Sequence, residues 1–235
     1  MIKINSFNKK YSTLKNFKII KDDFKFILQI LKKKKINFKN KKIVDLGCSN
    51  GSFLYFLKNK FPNNIYHGID SDASLIEINK KNLYLNDIIF KKKSILSKFS
   101  KDNYDVITCL GTLNLFEKQE FILNNFLNHL NNKGTLILNC YLNKNNIDVN
   151  VKYKKYLKNK KFLSNEIYFK SYQEIYKYFV KQKLLRFFII PNPYLQKIKK
   201  SSDLNIYTCK IDGINVRTNA LNILYDQYLI IAQKK

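Results

Sequence analysis

The 235-residue chain has no tryptophan, one methionine, two histidines, two arginines, three prolines and six glycines. Each scarcity excludes something. Four cysteines, Cys48, Cys109, Cys140 and Cys209, stand far apart with no Cys-x-x-Cys pair, and only two histidines could assist them, so neither a structural zinc nor a disulfide framework is expected. No apolar run approaches the 18 residues a membrane helix needs, and the opening Met1-Ile2-Lys3-Ile4-Asn5 lacks the apolar stretch of a signal peptide. A cytoplasmic protein without membrane contact is the expectation. Only two of the 44 basic residues are arginine, whose fork-shaped guanidinium is the usual grip on phosphate. The net charge of +27 therefore does not by itself mark a nucleic-acid binder, although it permits long-range attraction to anions.

Phe, Tyr, Met, Ile, Asn and Lys supply 138 residues, whereas Gly, Ala, Arg, Pro and Trp supply 14. The first set is encoded by AT-rich codons and the second by GC-rich ones, so drift in base composition explains much of the charge. An apolar share of 45% excludes a disordered chain, and the length suits one domain with a modest appendage.

Residues 1–40 read as an N-terminal helical cap. Asp22-Asp23 opens a run with Phe24, Ile27, Leu28 and Leu31 at helical spacing, and Lys32 to Lys35 closes it at the negative end of the helix dipole. Over 41–140, short apolar runs at 43–46, 65–69, 88–90, 104–109 and 135–139 alternate with helical stretches starting at Ser52 and covering 74–86 and 117–130. That alternation predicts a parallel sheet covered on both faces, with ligands at the carboxyl ends of its strands. Residues 141–235 form a third section: a polar stretch to about Asn165, a helix over 171–183, and strand-like runs at 186–190, 205–211 and 228–231.

Where glycine is so rare, its positions are informative. Gly47 and Gly51 flank the turn after the first strand, Gly68 ends the second, Gly111 follows the fourth and Gly134 precedes the fifth. These are joints where positive φ or close approach to a ligand favours glycine. Gly213, in Ile211-Asp212-Gly213-Ile214, reads as a hairpin turn. The first joint runs Asp45-Leu46-Gly47-Cys48-Ser49-Asn50-Gly51, a strand entering a helix through a tight loop. A carboxylate there would repel a pyrophosphate but suits an adenosine-bearing ligand with an ammonium and a sulfonium. Asp70, 25 residues on, is placed to accept hydrogen bonds from a ribose.

With these residues the chain resembles the class I S-adenosylmethionine-dependent methyltransferases. Val44 to Gly51 is similar to the family's first motif, with Ser49 where the middle glycine stands. His67-Gly68-Ile69-Asp70-Ser71-Asp72 resembles the second, Lys93-Ser94-Ile95 the third, and Tyr104 to Leu113 the fourth strand with its loop. The resemblance implies an α/β fold, a Rossmann-like doubly wound sheet of seven mostly parallel strands, with an N-terminal helical cap and a C-terminal insertion. It also implies S-adenosylmethionine as cofactor and S-adenosylhomocysteine as product. Asp45, Gly47, Cys48, Ser49 and Gly51 would hold the methionine part, Asp70 and Ser71 the ribose, Ser94 and Ile95 the adenine, and Leu110, Gly111 and Thr112 the methyl-transfer point. The expected acceptor is a small molecule, anionic or sugar-linked, methylated on oxygen or nitrogen. An RNA acceptor and a non-catalytic binding protein are the alternatives.

Methyl transfer from a sulfonium depends on in-line placement more than on proton chemistry. Where a base is needed, Glu117, Tyr141 and Tyr11 occupy the family's usual positions for it. Asp105 begins its strand and His67 and His129 sit among packing positions, so structural roles are expected for all three. Pro191-Asn192-Pro193-Tyr194 reads as a proline-bounded loop, and Cys109 as a buried, inert thiol. Between Tyr141 and Asn165, seven lysines face Asp148 alone. This stretch is read as a lid for an anionic acceptor, an RNA-touching surface, or a solvated helix.

Overall fold

A computed structural model describes residues 17–97, 102–156, 162–193, 200, 207–219, 221 and 223–235. Asp22 and Asp23 at one end and Lys32 and Lys33 at the other complement the dipole of α1 (Asp22–Lys33), whose Phe24, Ile27, Ile30 and Leu31 are buried. The alternating section follows as β1 (Lys42–Leu46), α2 (Ser52–Lys60), β2 (Ile65–Asp70), α3 (Ala73–Lys80), β3 (Ile88–Lys92), β4 (Tyr104–Leu110), α4 (Gln119–Asn128) and β5 (Leu130–Tyr141). The remainder contains β6 (Val149–Tyr156), β7 (Phe162–Phe169), α5 (Tyr172–Lys181), β8 (Leu185–Pro191), β9 (Tyr207–Ile211), β10 (Ile214–Thr218) and β11 (Gln227–Lys234).

Seven strands form one sheet in the order β3-β2-β1-β4-β5-β11-β8. The first five are parallel, and β11 runs antiparallel between β5 and β8. The chain thus winds outward from β1 in one direction and from β4 in the other. The crevice of a doubly wound sheet lies at that reversal, above the carboxyl ends of β1 and β4. One face is packed by Phe24 and Ile27 of α1 and Leu54 and Leu57 of α2, the other by Ile122 and Phe126 of α4 and Ile175 and Phe179 of α5.

Among its described residues the basic stretch after β5 forms strands and no solvated helix. β6 and β7 form an antiparallel ribbon in which Val151 pairs with Ile167 and Lys152 with Glu166. Val149, Val151 and Tyr153 alternate with exposed Asn150, Lys152 and Lys154, a period of two that a helix cannot use. The ribbon is anchored where Phe169 meets Tyr225 edge-on at 5.4 Å. Three helices are shorter than expected, α5 spanning only Tyr172–Lys181. α3 stops at Lys80, because Asn82 caps a separate 3₁₀ turn over Leu83–Leu85 by accepting from Tyr84 N–H. α4 ends at Asn128, and β5 already pairs Leu130 with Tyr104 before the chain bulges through Lys133 in the left-handed region and resumes pairing at Thr135. Asp212 and Gly213 both have positive φ, as a two-residue hairpin between β9 and β10 requires.

Asp105 holds the opposite edge of the sheet by accepting from Lys42 N–H and Asn131 Nδ2, as its position at the strand start implied. His67 is buried against the Tyr104 hydroxyl at 3.0 Å, and His129 meets the Asn125 carbonyl at 2.8 Å. No helix among the described residues is long and apolar enough to cross a membrane.

Candidate active site

The loop between β1 and α2 is shaped by three left-handed residues, Gly47 (φ 75°), Ser49 (φ 48°) and Gly51 (φ 72°). Gly47 is required twice over, since a Cβ there would lie 2.1 Å from the Thr112 hydroxyl oxygen. Ser49 bears the steric cost of that region, about 1–2 kcal/mol, and two hydrogen bonds hold it there. Its N–H donates to Asp70 Oδ2 at 2.9 Å, and its carbonyl accepts from Asn79 Nδ2 at 2.7 Å. Gly47 and Cys48 N–H both donate to the Ile69 carbonyl, tying the loop to the end of β2.

Two carboxylates stand at this loop. Asp45 is 4% exposed and accepts from Thr108 Oγ1 at 2.7 Å. Burial pushes its pKa up to about 7, the Thr108 bond and the Lys21 ammonium opposing and the nearby Asp70 adding to the rise. Asp70 accepts Ser49 N–H on one oxygen and Asp72 N–H on the other, which leaves each oxygen further lone-pair capacity. Asp72 caps α3 through Ser74 and Leu75 N–H, and Ser71 is exposed between the two acids. No lysine or arginine occurs from Asp45 to Gly51 or from Gly68 to Asp72. Two carboxylates against the Lys21 ammonium fit a cationic adenosyl ligand better than a pyrophosphate. Burial raises the thiols of Cys48 and Cys109 well above their usual range and that of Cys140 to about 12, so these are packing groups. Among the described residues no three His, Cys, Asp or Glu side chains could hold a metal.

The other strand ends complete the rim. After β3, Lys93 N–H donates to the Asp70 carbonyl, while the Ser94 hydroxyl accepts Leu96 N–H and Ile95 is buried, so this turn abuts the second strand. After β4, Leu110 is half-buried, Gly111 has φ 77° with no atom within 4 Å of where a Cβ would lie, and Thr112 covers Gly47. Gly111 N–H donates to the Asn139 carbonyl at 2.7 Å. The expected cofactor residues are thus gathered on one edge.

The candidate bases are dispersed. Glu117 is exposed before α4. Tyr141, half-buried at the end of β5, meets Tyr225 edge-on at 5.2 Å. Tyr11 lies outside the described residues.

Several polar residues at this edge escaped the sequence reading. Asn79 sits at an apolar position of α3, 1% exposed, and its break in the helical apolar pattern was the available signal. Asn114 clamps the β4 loop by donating to the carbonyls of Tyr141 and Tyr168 and accepting Tyr141 N–H. Asp23 of α1, Asn139 of β5, Gln227 of β11 and Asn192 just after β8 meet, and nothing in their local sequence announces this.

A family model described as "Methyltransferase domain" matches residues 37–184. Carboxy-S-adenosyl-L-methionine synthase of Campylobacter jejuni is 32% identical over 126 residues, covering 49% of this chain and 53% of that protein. The chain spans about half the length of the curated relatives it matches. A solved S-adenosylmethionine-dependent methyltransferase from Clostridium acetobutylicum superposes with a TM-score of 0.56 at 15% identity, covering 98% of each chain. A structure of DhpI with SAH gives 0.60 at 9% identity, covering 97% of this chain and 90% of that one. At such identities the solved structures attest the fold, and the family rests on the match that spans most of the chain together with the loop and carboxylates described above. The chain belongs to the methyltransferase-domain family, within the class I S-adenosylmethionine-dependent methyltransferases.

Proposed function

We propose that this chain transfers a methyl group from S-adenosylmethionine to a small-molecule acceptor held between the β4 loop, α1 and the β6–β7 ribbon. The observation that carries this reading is the pair Asp45 and Asp70 at a left-handed glycine loop, on the same strand-end edge as Gly111. When bound, the cofactor supplies an electrophilic methyl on a sulfonium whose leaving group is a neutral thioether. In this reading the Gly47–Gly51 loop and Asp45 receive the methionine part, and the spare lone pairs of Asp70 accept the ribose hydroxyls. The turn at Ser94-Ile95 lies against the adenine, and Leu110 to Thr112 line the path of the methyl. The chain's contribution is placement and exclusion of water more than acid–base chemistry.

Calorimetry with S-adenosylmethionine and S-adenosylhomocysteine tests this. Both are expected to bind, and Asp70→Ala to weaken both at least tenfold, about 1.4 kcal/mol. Absence of binding by the native chain refutes the reading. Mass analysis of the product then separates simple methyl transfer from the donor modification that the name of the Campylobacter relative describes.

One observation favours a second acceptor class. Lys152, paired with Glu166 at 2.7 Å, and Lys154 are exposed on one face of the β6–β7 ribbon, whose Tyr168 carbonyl accepts from Asn114 after β4. If RNA is the acceptor, bulk tRNA should bind with an affinity that falls steeply with salt, and Lys152→Ala with Lys154→Ala should flatten that slope.

A further inference from the structure

Three side-chain amides converge on one carboxylate beside the end of β4. Asp23, in the first turn of α1, accepts from Gln227 Nε2 at 3.2 Å and Asn139 Nδ2 at 3.4 Å on one oxygen, and from Asn192 Nδ2 at 3.2 Å on the other. Because a carboxylate only accepts, each amide must turn its nitrogen toward it. Gln227 is fixed in that sense from its other end as well, since its Oε1 accepts from Arg217, which only donates. The amide orientations therefore follow from chemistry.

Those orientations leave a surplus of acceptors. Oδ1 of Asn139 and Oδ1 of Asn192 are both buried with no hydrogen-bond partner, on side chains 4% and 5% exposed. A buried acceptor without a donor costs about 1–3 kcal/mol, and interiors satisfy nearly all such groups. Two in one cluster serve no folding purpose that the structure shows. Their place is informative: Asn139 lies beside Leu110 in the sheet, and its carbonyl accepts Gly111 N–H where the β4 loop faces open space. Asn192 follows β8, its N–H donating to the Gln227 carbonyl, and Gln227 pairs with Tyr141.

We propose that Asp23, Asn139 and Asn192 form the acceptor subsite of the transfer site and select an amine, so that the atom methylated is nitrogen. The proposal rests on the methyltransferase reading above. A carboxylate and two amide oxygens can be completed only by hydrogen-bond donors, and an ammonium offers up to three N–H groups on one atom. A carboxylate or phosphate acceptor would set its charge against Asp23, contrary to what the nearby lysines suggest. Asp23 takes the proton that the ammonium must lose before its lone pair is available. That pair forms the new N–C bond as the C–S bond breaks, the bonding electrons leave with sulfur as a thioether, and the positive charge passes from sulfur to nitrogen.

The test uses the full chain saturated with S-adenosylhomocysteine, which keeps a cationic probe from the Asp45 side of the site. Benzylamine, benzyl alcohol and benzoate, three probes of one shape, are titrated by NMR. Benzylamine is expected to bind at least tenfold more tightly than the other two. Asp23→Asn should remove that preference while leaving S-adenosylhomocysteine affinity within about twofold. Equal or better binding of benzyl alcohol or benzoate, no binding of benzylamine, or benzylamine binding unchanged in Asp23→Asn overturns the proposal. Should Asp23→Asn fail to fold, Asn192→Leu keeps the α1 residue and decides alone: a loss of threefold or more supports the subsite, and no loss overturns it. If S-adenosylhomocysteine itself does not bind the native chain, the methyltransferase reading fails. The amine preference measured without it then judges the subsite separately.

Discussion

The two halves of the carboxyl edge are built differently. On the donor side, above β1, β2 and β4, the site consists of backbone bent by glycine and closed mostly by hydrogen bonds between near neighbours, Ser49 to Asp70, Asn79 to Ser49 and Gly47 to Ile69, with Thr108 to Asp45 the longer link at 63 positions. On the acceptor side, Asp23, Asn139, Asn192 and Gln227 are joined across separations of up to 204 residues. Polar groups on the donor side are satisfied within the protein, whereas the acceptor side retains two buried oxygens without donors. In the proposed reading the cofactor is held by this local design and the acceptor by side chains that the tertiary structure gathers.

Gly47→Ala should break the donor side most severely, because the new methyl must displace Thr112 and the residue must remain at positive φ. A loss of about 2–5 kcal/mol in urea unfolding is expected, with loss of S-adenosylhomocysteine binding by calorimetry.

A matched pair of asparagine replacements sharpens the contrast between the halves. Asn79→Leu strands the Ser49 carbonyl and should cost about 1–3 kcal/mol. Asn192→Leu removes an acceptor that has no donor, at the loss of one bond to Asp23, and should cost less. Thermal melts of the two variants side by side decide this, and equal destabilisation would dissolve the comparison.

One pH dependence belongs to the donor side. Asp45 binds its proton more tightly folded than unfolded, its pKa being raised by burial to about 7 from an ordinary carboxylate value. Between those two values the folded chain holds the extra proton, so stability without ligand falls as pH rises from about 4 to about 7 and is then level in this respect. Affinity for the cationic cofactor should rise over the interval around pH 7 as the carboxylate forms. Calorimetry at pH 6 and pH 8 should show the rise in the native chain and its absence in Asp45→Asn.

Ser49→Gly should have the smallest effect, a gain of up to about 1 kcal/mol from relieving the left-handed serine. Equilibrium unfolding measures it.

Much of the donor side was legible because its determinants are local. Gly47, Gly51 and Gly111 do adopt positive φ; Asp70, read in the sequence for a ribose, also accepts Ser49 N–H, a loop contact the sequence did not announce. Asn79 could have been noticed as a polar residue in an apolar helical phase. The β6–β7 ribbon was obscured because lysine occupies its outward positions, and a Lys-rich stretch looks solvated whether its period is 2 or 3.6. Asp23 was read only as a helix-dipole partner. Its three amide donors come from β5, the segment after β8, and the start of β11, and local pattern carries no record of which strand ends adjoin.

Read alone, the sequence determined the alternation of strands and helices, the glycine joints and the carboxylates at the loop after β1, since these depend on φ preferences and on hydrogen bonds between near neighbours. Only the tertiary structure decided what stands opposite that loop. Inserting β11 antiparallel between β5 and β8 brings Asn139, Asn192 and Gln227 to one edge, and docking α1 above them sets Asp23 among their amides. Burial and sheet order, which no short stretch of chain specifies, determine which polar groups are left without partners.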